Sequence, residues 1–424
     1  RNLAVPPVLN EQWMELYNEL KDSDPVQHDS APSISGTHST TTSINEVGNI
    51  LYISNLKPSF PGSTVEQALD VFKQLDTILN ERGLYPSQVL SCALLLSDIS
   101  AFALVNDAYN KFFNIWKIGP LPPSRSCVGS KLLGKDVALQ LSVVVDTTAL
   151  VRHTGEIMLN DSKDGLHVQG RSYWCPCNIG PYSQAIWNKN DRNKVCYISG
   201  QIALVPSSMD MVKTIVHDQG SEAVSQSVLS LRHFDTLKNT IGVESQLAMV
   251  CYVSQDYMVP IVTKTWSLYC SQMSYKSDLW IDKDDNIFSL IVVRVSELPK
   301  NALCEWGGIA CAELNVEDDY DEDDLAAQIH QQISLKNQLD VCFPDAKDLT
   351  VSENGLKRHF VTLFSDSLDE LSSTIQNAQV CQITLYYTPS HTVLENFSHV
   401  EYCPVNAVYD YQGKKRQYGL HIKY

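Results

Sequence analysis

What most constrains this chain is an order of apolar segments that occurs twice. In the first copy, Asn49 to Leu56 reads as a short strand. Ser63 and Glu66 have the spacing of a capping box and open a helix. Val65, Ala68, Leu69, Phe72, Leu75, Ile78 and Leu79 recur at helical spacing, and Gly83 supplies the stop. Val89 to Leu96 is a buried strand, and Ile99, Phe102, Val105, Tyr109, Phe112 and Phe113 mark a second helix. Arg125–Ser130 and Val137–Val145 follow as two strands joined by a short turn. The second copy has strands at Val195–Ala203 and Leu247–Val253. Its first helix runs through Val224, Val228, Leu231, Phe234, Leu237 and Ile241 and is closed by Gly242. A weaker helix passes through Trp266, and Ile287–Val295 and Ala302–Cys311 complete the set, with residues 271–286 an inserted polar loop. A period of roughly 100–150 residues means duplicated domains, because solenoid repeats run only ~20–50 residues.

A fainter third copy follows. Leu325–Leu339 is expected as its first helix, Arg358–Leu363 as a strand and Ser367–Gln376 as its second helix. Val380–Tyr387, Val400–Tyr409 and Arg416–Ile422 read as strands, with no evident opening strand. The expected division is 1–45 for an N-terminal helix and flexible linker, 46–148 and 172–313 for the clear copies, 149–171 for a connector, 314–324 for an acidic linker and 325–424 for the degenerate copy. Within 11–21, Trp13, Leu16, Tyr17 and Leu20 share one helical face, while 22–45 is rich in Ser, Thr, Pro and Asp without hydrophobic period. Glu317 to Asp324 is a dense acidic run, read as a solvated linker; calcium loops need a turn glycine and spaced ligands that it lacks.

The net charge of −17 over 424 residues argues against non-specific nucleic-acid binding, which needs clustered positive charge. No apolar run reaches the ~18 residues of a membrane span. The chain opens at Arg1, so a fragment or processed form is expected. Twelve cysteines, mostly single within apolar runs, read as reduced thiols of a cytosolic protein. Cys175 and Cys177 are the one close pair, without a second pair at zinc spacing. Gly129-x4-Gly134-Lys135-Asp136 resembles a phosphate loop but lacks the final Ser or Thr and joins two strands; it is expected to be a hairpin turn with Gly134 at a special backbone angle. A lone His233 on a helix is expected at the surface or half-buried, and Lys414, Lys415 and Arg416 in a solvated turn.

Gly180-Pro181-Tyr182-Ser183-Gln184, followed by Ile198-Ser199-Gly200-Gln201-Ile202, carries a resemblance to the Rid (YjgF) family of imine and enamine deaminases, and Arg125-Ser126-Cys127-Val128 carries it in the first copy. The resemblance implies an α+β fold of Rid/chorismate-mutase-like domains, each a sheet with two helices on one face. Family members are usually homotrimers, so three copies in one chain imply a monomeric intramolecular pseudo-trimer. Tandem copies beside an acidic connector also resemble the C-terminal half of the eukaryotic diphthine–ammonia ligase family. That implies a cytoplasmic accessory region for ATP-dependent amidation on elongation factor 2, with ATP held by an N-terminal domain whose SGGKDS loop does not occur here. No cofactor or metal is expected in the chain itself.

In the Rid family an arginine holds the substrate carboxylate, a glutamate helps activate water, and a tyrosine and a Ser-Gly backbone line the pocket. Bidentate pairing of guanidinium with carboxylate and proton transfer by a carboxyl group give those residue types their chemistry. Carried over, Arg125 and Cys127 match in the first copy, where Gln140 stands at the glutamate position and Asn55 at a glycine. Tyr182, Ser199, Gly200 and Glu305 match in the second, where Leu290 stands at the arginine position. The third has Cys403 near the matching place and neither charged partner. Two readings follow: both copies are degenerate scaffolds or docking modules, the favoured reading, or Arg125 faces Tyr182, Ser199 and Gly200 in one composite pocket. Ribonuclease activity is a third reading, weakened by the acidic charge.

Overall fold

In the computed structural model, residues 8–22, 39–215, 221–273, 285–314, 326–353, 356–378, 380–389 and 395–424 are described. The acidic run Glu317–Asp324, and most of the expected 22–45 linker and 271–286 loop, lie outside them.

Helix α1 is Glu11–Lys21, capped by the Asn10 side chain, which accepts a bond from Trp13 N at 3.1 Å. The first sheet follows with β1 (Ser43–Val47), β2 (Ile50–Leu56), α2 (Thr64–Glu81), β3 (Val89–Leu96), α3 (Phe102–Phe112), α4 (Ile115–Ile118), β4 (Ser124–Gly129) and β5 (Leu139–Asp146). The expected capping box opens α2: Ser63 N donates to Glu66 Oε2 at 2.9 Å and Glu66 N to Ser63 Oγ at 3.3 Å. The sheet order is β1-β2-β5-β3-β4, with β3 and β4 parallel. The loop through Gly134 therefore does not close a hairpin. It carries the chain across β3, because β5 inserts between β2 and β3, and Gly134 has φ +121° there. Ser43–Val47, whose first three residues were read as linker, is the edge strand of this sheet.

Three short strands, β6 (Val151–Thr154), β7 (Ile157–Asn160) and β8 (Lys163–Leu166), occupy the stretch read as a connector. The second sheet comprises β9 (Ala185–Asn188), β10 (Cys196–Gln201), α5 (Glu222–Ile241), β11 (Ser245–Val253), α6 (Met258–Gln272), β12 (Leu290–Arg294) and β13 (Cys304–Cys311). The third comprises α7 (Ala326–Cys342), β14 (Lys347–Glu353), β15 (Leu356–Ser365), α8 (Leu368–Asn377), β16 (Gln382–Tyr387), β17 (Val400–Pro404) and β20 (Tyr418–Lys423), while β18 (Ala407–Tyr409) and β19 (Lys415–Arg416), between β17 and β20 in the chain, pair into the second sheet. Its order, β14-β15-β20-β16-β17, repeats that of the first sheet. By that order β15 is the counterpart of β2, so the opening strand of the third copy is present as Leu356–Ser365, read above as an interior strand, and the edge strand β1 is matched by β14. Helix α7 precedes it rather than following β15, and Leu335 and Leu339 pack into the same core as Leu371 and Ile375 of α8. The stretch Val400–Tyr409 splits between two sheets: β17 stays in the third, whereas β18 pairs antiparallel with β12 and joins the second.

Helix α1 lies on α5 and α6, with Trp13, Leu16, Tyr17 and Leu20 buried as the spacing predicts and Trp13 stacked on Tyr269 at 5.9 Å. His233 is fully buried, not at the surface: its Nε2 is 2.7 Å from Leu204 O, tying α5 to the segment after β10, and burial pushes its pKa down to about 3. Lys415 and Arg416, expected in a solvated turn, instead form β19 against β18, and Arg416 is paired with Asp366 and Asp410, both at 3.0 Å.

The three sheets each turn one face inward. Leu95 and Val128 from the first, Val250 and Ile291 from the second, and Tyr386 and Val405 from the third form one shared apolar cluster. The strand registers put equivalent positions in correspondence. Leu95, Tyr252 and Tyr386 stand opposite Gln140, Glu305 and Gly419, respectively. Cys92, Met249 and Ile383, each three residues earlier, pair in parallel with Arg125, Leu290 and Val400.

Candidate functional site

The seam between the first and second sheets is closed by hydrogen bonds from β4. Arg125 N donates to Ser199 Oγ at 2.8 Å, and Ser199 Oγ donates to Ser183 O at 2.6 Å. Ser183 Oγ in turn donates to Pro122 O at 2.7 Å, so the Gly180–Gln184 loop is stitched to the strand that bears Arg125. Gln184 holds the same loop to Val168 through bonds to and from its backbone at 2.9 and 2.7 Å.

This seam encloses a cavity of about 30 Å³, room for roughly two water-sized spheres. Arg125 and Cys127 line it from the first sheet, and Tyr182, Gly200 and Glu305 from the second. Ser199 sits directly behind it as the acceptor for the Arg125 backbone. The structure thus brings all six candidate residues to one place, although neither copy holds the set alone.

The Arg125 guanidinium is 3% exposed and has no ion pair among the described residues. It lies within 4.7 Å of the Tyr109 ring, 5.1 Å of Tyr182 and 5.2 Å of Phe102. Nη1 donates to Asn106 Oδ1 at 2.7 Å. Nη2 is buried without a hydrogen-bond partner and lies against Gly180, where a Cβ would collide with it. A buried, fixed cation with an unsatisfied N–H is a natural receptor for an anionic ligand group.

Glu305 lies across the cavity. A β-bulge between Ile198 and Gln201 lifts Gly200 out of the regular ladder with β13, and a Cβ at Gly200 would run into the Glu305 carboxylate. Burial raises the Glu305 pKa to about 8, against the opposing pull of Arg125. It is therefore largely protonated at neutral pH and able to exchange a proton near it. Burial also raises Cys127 and Tyr182 to about 12, so Cys127 is a thiol rather than a thiolate nucleophile and Tyr182 a neutral phenol.

The other two seams are filled. Between the first and third sheets, Asn55 takes the place of Gly200, at φ +63°, beside an equivalent bulge in β2. Its Nδ2 donates to Val400 O and its Oδ1 accepts from Tyr402 N, both at 2.8 Å. Gln140, at the glutamate position, donates to Tyr402 O at 2.8 Å. These two amides bond the backbone of β17 where a ligand would otherwise sit. Between the second and third sheets, β15 pairs with β20 without a bulge, Gly419 replaces the glutamate, and Leu290 stands at the arginine position. The register also corrects Cys403. It matches Val128 rather than Cys127, whose counterpart is Tyr402, and it faces the shared central cluster.

Asn106, Phe102 and Gly180 complete the Arg125 cradle; Phe102 was read only as a helix position and Gly180 only as part of the Gly180–Gln184 motif, and Asn106 was not singled out. Polarity alone does not mark Asn106, because Asp107, Asn110 and Lys111 share α3 with it.

An endoribonuclease L-PSP family model matches residues 30–149. A RutC family protein from Leuconostoc mesenteroides is 34% identical over 125 residues, which cover 28% of this chain and 93% of that protein. The chain belongs to the RutC family. The crystal structure of yeast Mmf1 is 29% identical, covering 29% of this chain and 97% of that one, at a TM-score of 0.22. Diphthine–ammonia ligase of Saccharomyces cerevisiae is 42% identical over 425 residues, spanning 99% of this chain and 60% of the ligase. This RutC-family chain is therefore a homologue of a fungal diphthine–ammonia ligase and spans less than two thirds of that protein's length. Among the described residues, no helix is long and apolar enough to cross a membrane.

The filled seam gives a direct test. Asn55→Gly keeps the left-handed backbone accessible but removes the side-chain bonds to Val400 and Tyr402. It should lower stability by about 2–3 kcal/mol, read as a lower urea midpoint, because the abandoned backbone groups are buried. An unchanged midpoint would mean that Asn55 does not secure this seam.

Proposed function

We propose that this chain is the accessory region of a diphthine–ammonia ligase and that its one composite pocket hydrolyses a small imine, releasing ammonia. The observation that carries this reading is that Arg125 of the first sheet and Glu305 of the second line the same cavity. The kinship with the ligase, at 42% identity over nearly the whole chain, supports the setting. In that setting elongation factor 2 is the protein substrate, ATP binds in an N-terminal domain outside this chain, and the site of action is the cytoplasm. The chain itself uses no cofactor in this reading.

The chemistry follows from the residues. The Arg125 guanidinium pairs with a carboxylate beside the imine carbon and fixes its orientation. Glu305, titrating near 8, protonates the imine nitrogen, and its carboxylate form accepts a proton from the attacking water. The imine C=N and one water become C=O and ammonia, so atoms balance without an external reductant or oxidant. Tyr182 and the backbone at Gly200 shape the cavity walls.

A scaffold or docking role for the remainder of the chain is favoured by the two filled seams, where Asn55, Gln140 and Leu290 stand at the site positions. The ribonuclease reading has no comparable support, given the net charge of −17. The three sheets around one shared core support the reading of an intramolecular pseudo-trimer that is monomeric in solution.

Two measurements test this reading. Purified chain should release ammonia from a small 2-imino acid generated in situ, and Arg125→Ala should lower kcat/KM by about 100-fold or more, the loss of a bidentate charged contact. Unchanged activity in Arg125→Ala, or none in the wild type, would remove the imine reading. Light scattering should give a mass near 47.4 kDa; a mass three times larger would contradict the intramolecular assembly.

A further inference from the structure

A second, larger cavity of about 130 Å³ lies where the inward faces of the three sheets meet. It is separate in its lining from the composite pocket, sharing neither Arg125 nor Glu305. Its charged side chains come from the third sheet alone: Lys423 on β20 and Glu401 on β17.

Lys423 is 8% exposed and its ammonium lies 5.4 Å from the centre of the Tyr52 ring. It makes no hydrogen bond or ion pair with any described residue. Glu401 accepts a bond from Thr384 Oγ1 at 3.0 Å through one carboxylate oxygen and has no ion-pair partner either. The two groups feel each other, since Glu401 favours the charged form of Lys423, yet they are not in contact. A buried ammonium and a nearby carboxylate held apart across a cavity leave a gap that a dipolar molecule can span. Away from this pair Leu95, Val128 and Val250, all buried, give the wall an apolar stretch, bordered by the hydroxyls of Ser54, Ser126 and Ser142 and by His421, which burial keeps neutral. The volume holds about ten water-sized spheres, which bounds the ligand to a small organic molecule.

We propose that this central cavity binds a small aliphatic α-amino acid as its zwitterion, with the carboxylate at Lys423, the ammonium at Glu401 and the side chain against Leu95, Val128 and Val250. A plain carboxylate would leave Glu401 facing its charge, and a plain amine would do the same to Lys423. Only a ligand with both charges satisfies both walls.

Calorimetric titration of the full chain with L-valine tests this against two halves of the ligand, isovalerate and isobutylamine. L-valine should bind, and neither half should bind within tenfold of its affinity. Lys423→Met and Glu401→Gln should each weaken L-valine binding about tenfold or more, the expected loss of one charged contact. Arg125→Met should bind L-valine as the wild type does. No binding of L-valine would overturn the proposal, and so would isovalerate binding equally well, which would mark a simple anion site. Loss of binding in Arg125→Met would overturn it too, by moving the amino acid to the composite pocket. Should Lys423→Met fail to fold, the series of three ligands on the wild type decides alone.

Discussion

A guanidinium buried among three aromatic rings, with one N–H lacking a partner, is costly to maintain unless its surroundings are fixed by other contacts. At Arg125 those contacts cross between two sheets. Its backbone is bonded to Ser199, its side chain is held by Asn106, and Tyr182 from the second sheet forms one wall. The seam between the first and second sheets is therefore organised around a cation that neither sheet could house alone. The elevated proton affinity of Glu305 belongs to the same enclosure, since burial acts on it more strongly than the cation across the cavity.

The three seams differ in local chemistry while the sheets share a topology. A bulge with glycine leaves space for a carboxyl group. A bulge with asparagine closes the space by bonding the neighbouring strand, and a strand without a bulge never opens it. Asn55 and Gln140 turn a ligand pocket into hydrogen bonds to β17, and Gly419 admits close packing against Ile291 and Val408. The hairpin of β18 and β19, borrowed by the second sheet, ties the third to it through β12.

Much of this was legible in the residues. The periodicities at Val65–Leu79 and Val224–Ile241, the Ser63–Glu66 box and the apolar face of 11–21 report local preferences, and local preferences were enough to form those elements. The motif at Gly180–Gln184 pointed to the cavity at the first seam, which Tyr182 and Gln184 line. Sequence order failed where pairing is long-range. Nothing in the loop at Gly134 says that β5 will insert between β2 and β3, and nothing at Ala407–Tyr409 says that this strand leaves its own sheet. His233 was misread because its bond to Leu204 O, which makes burial tolerable, comes from a segment distant in sequence. The scaffold reading was favoured for the same reason: each copy is incomplete, and only the fold shows that the two halves meet.

The most direct test of that meeting is the titration of Glu305, followed by carbon-13 NMR of its side-chain carboxyl in the wild type and in Arg125→Met. A carboxyl buried in a pocket shared with Arg125 should titrate near 8 in the wild type and higher once the cation is removed, because loss of a nearby positive charge disfavours the carboxylate. A wild-type titration near the ordinary glutamate value, or one that does not move when Arg125 is replaced, would contradict a pocket assembled from the two sheets.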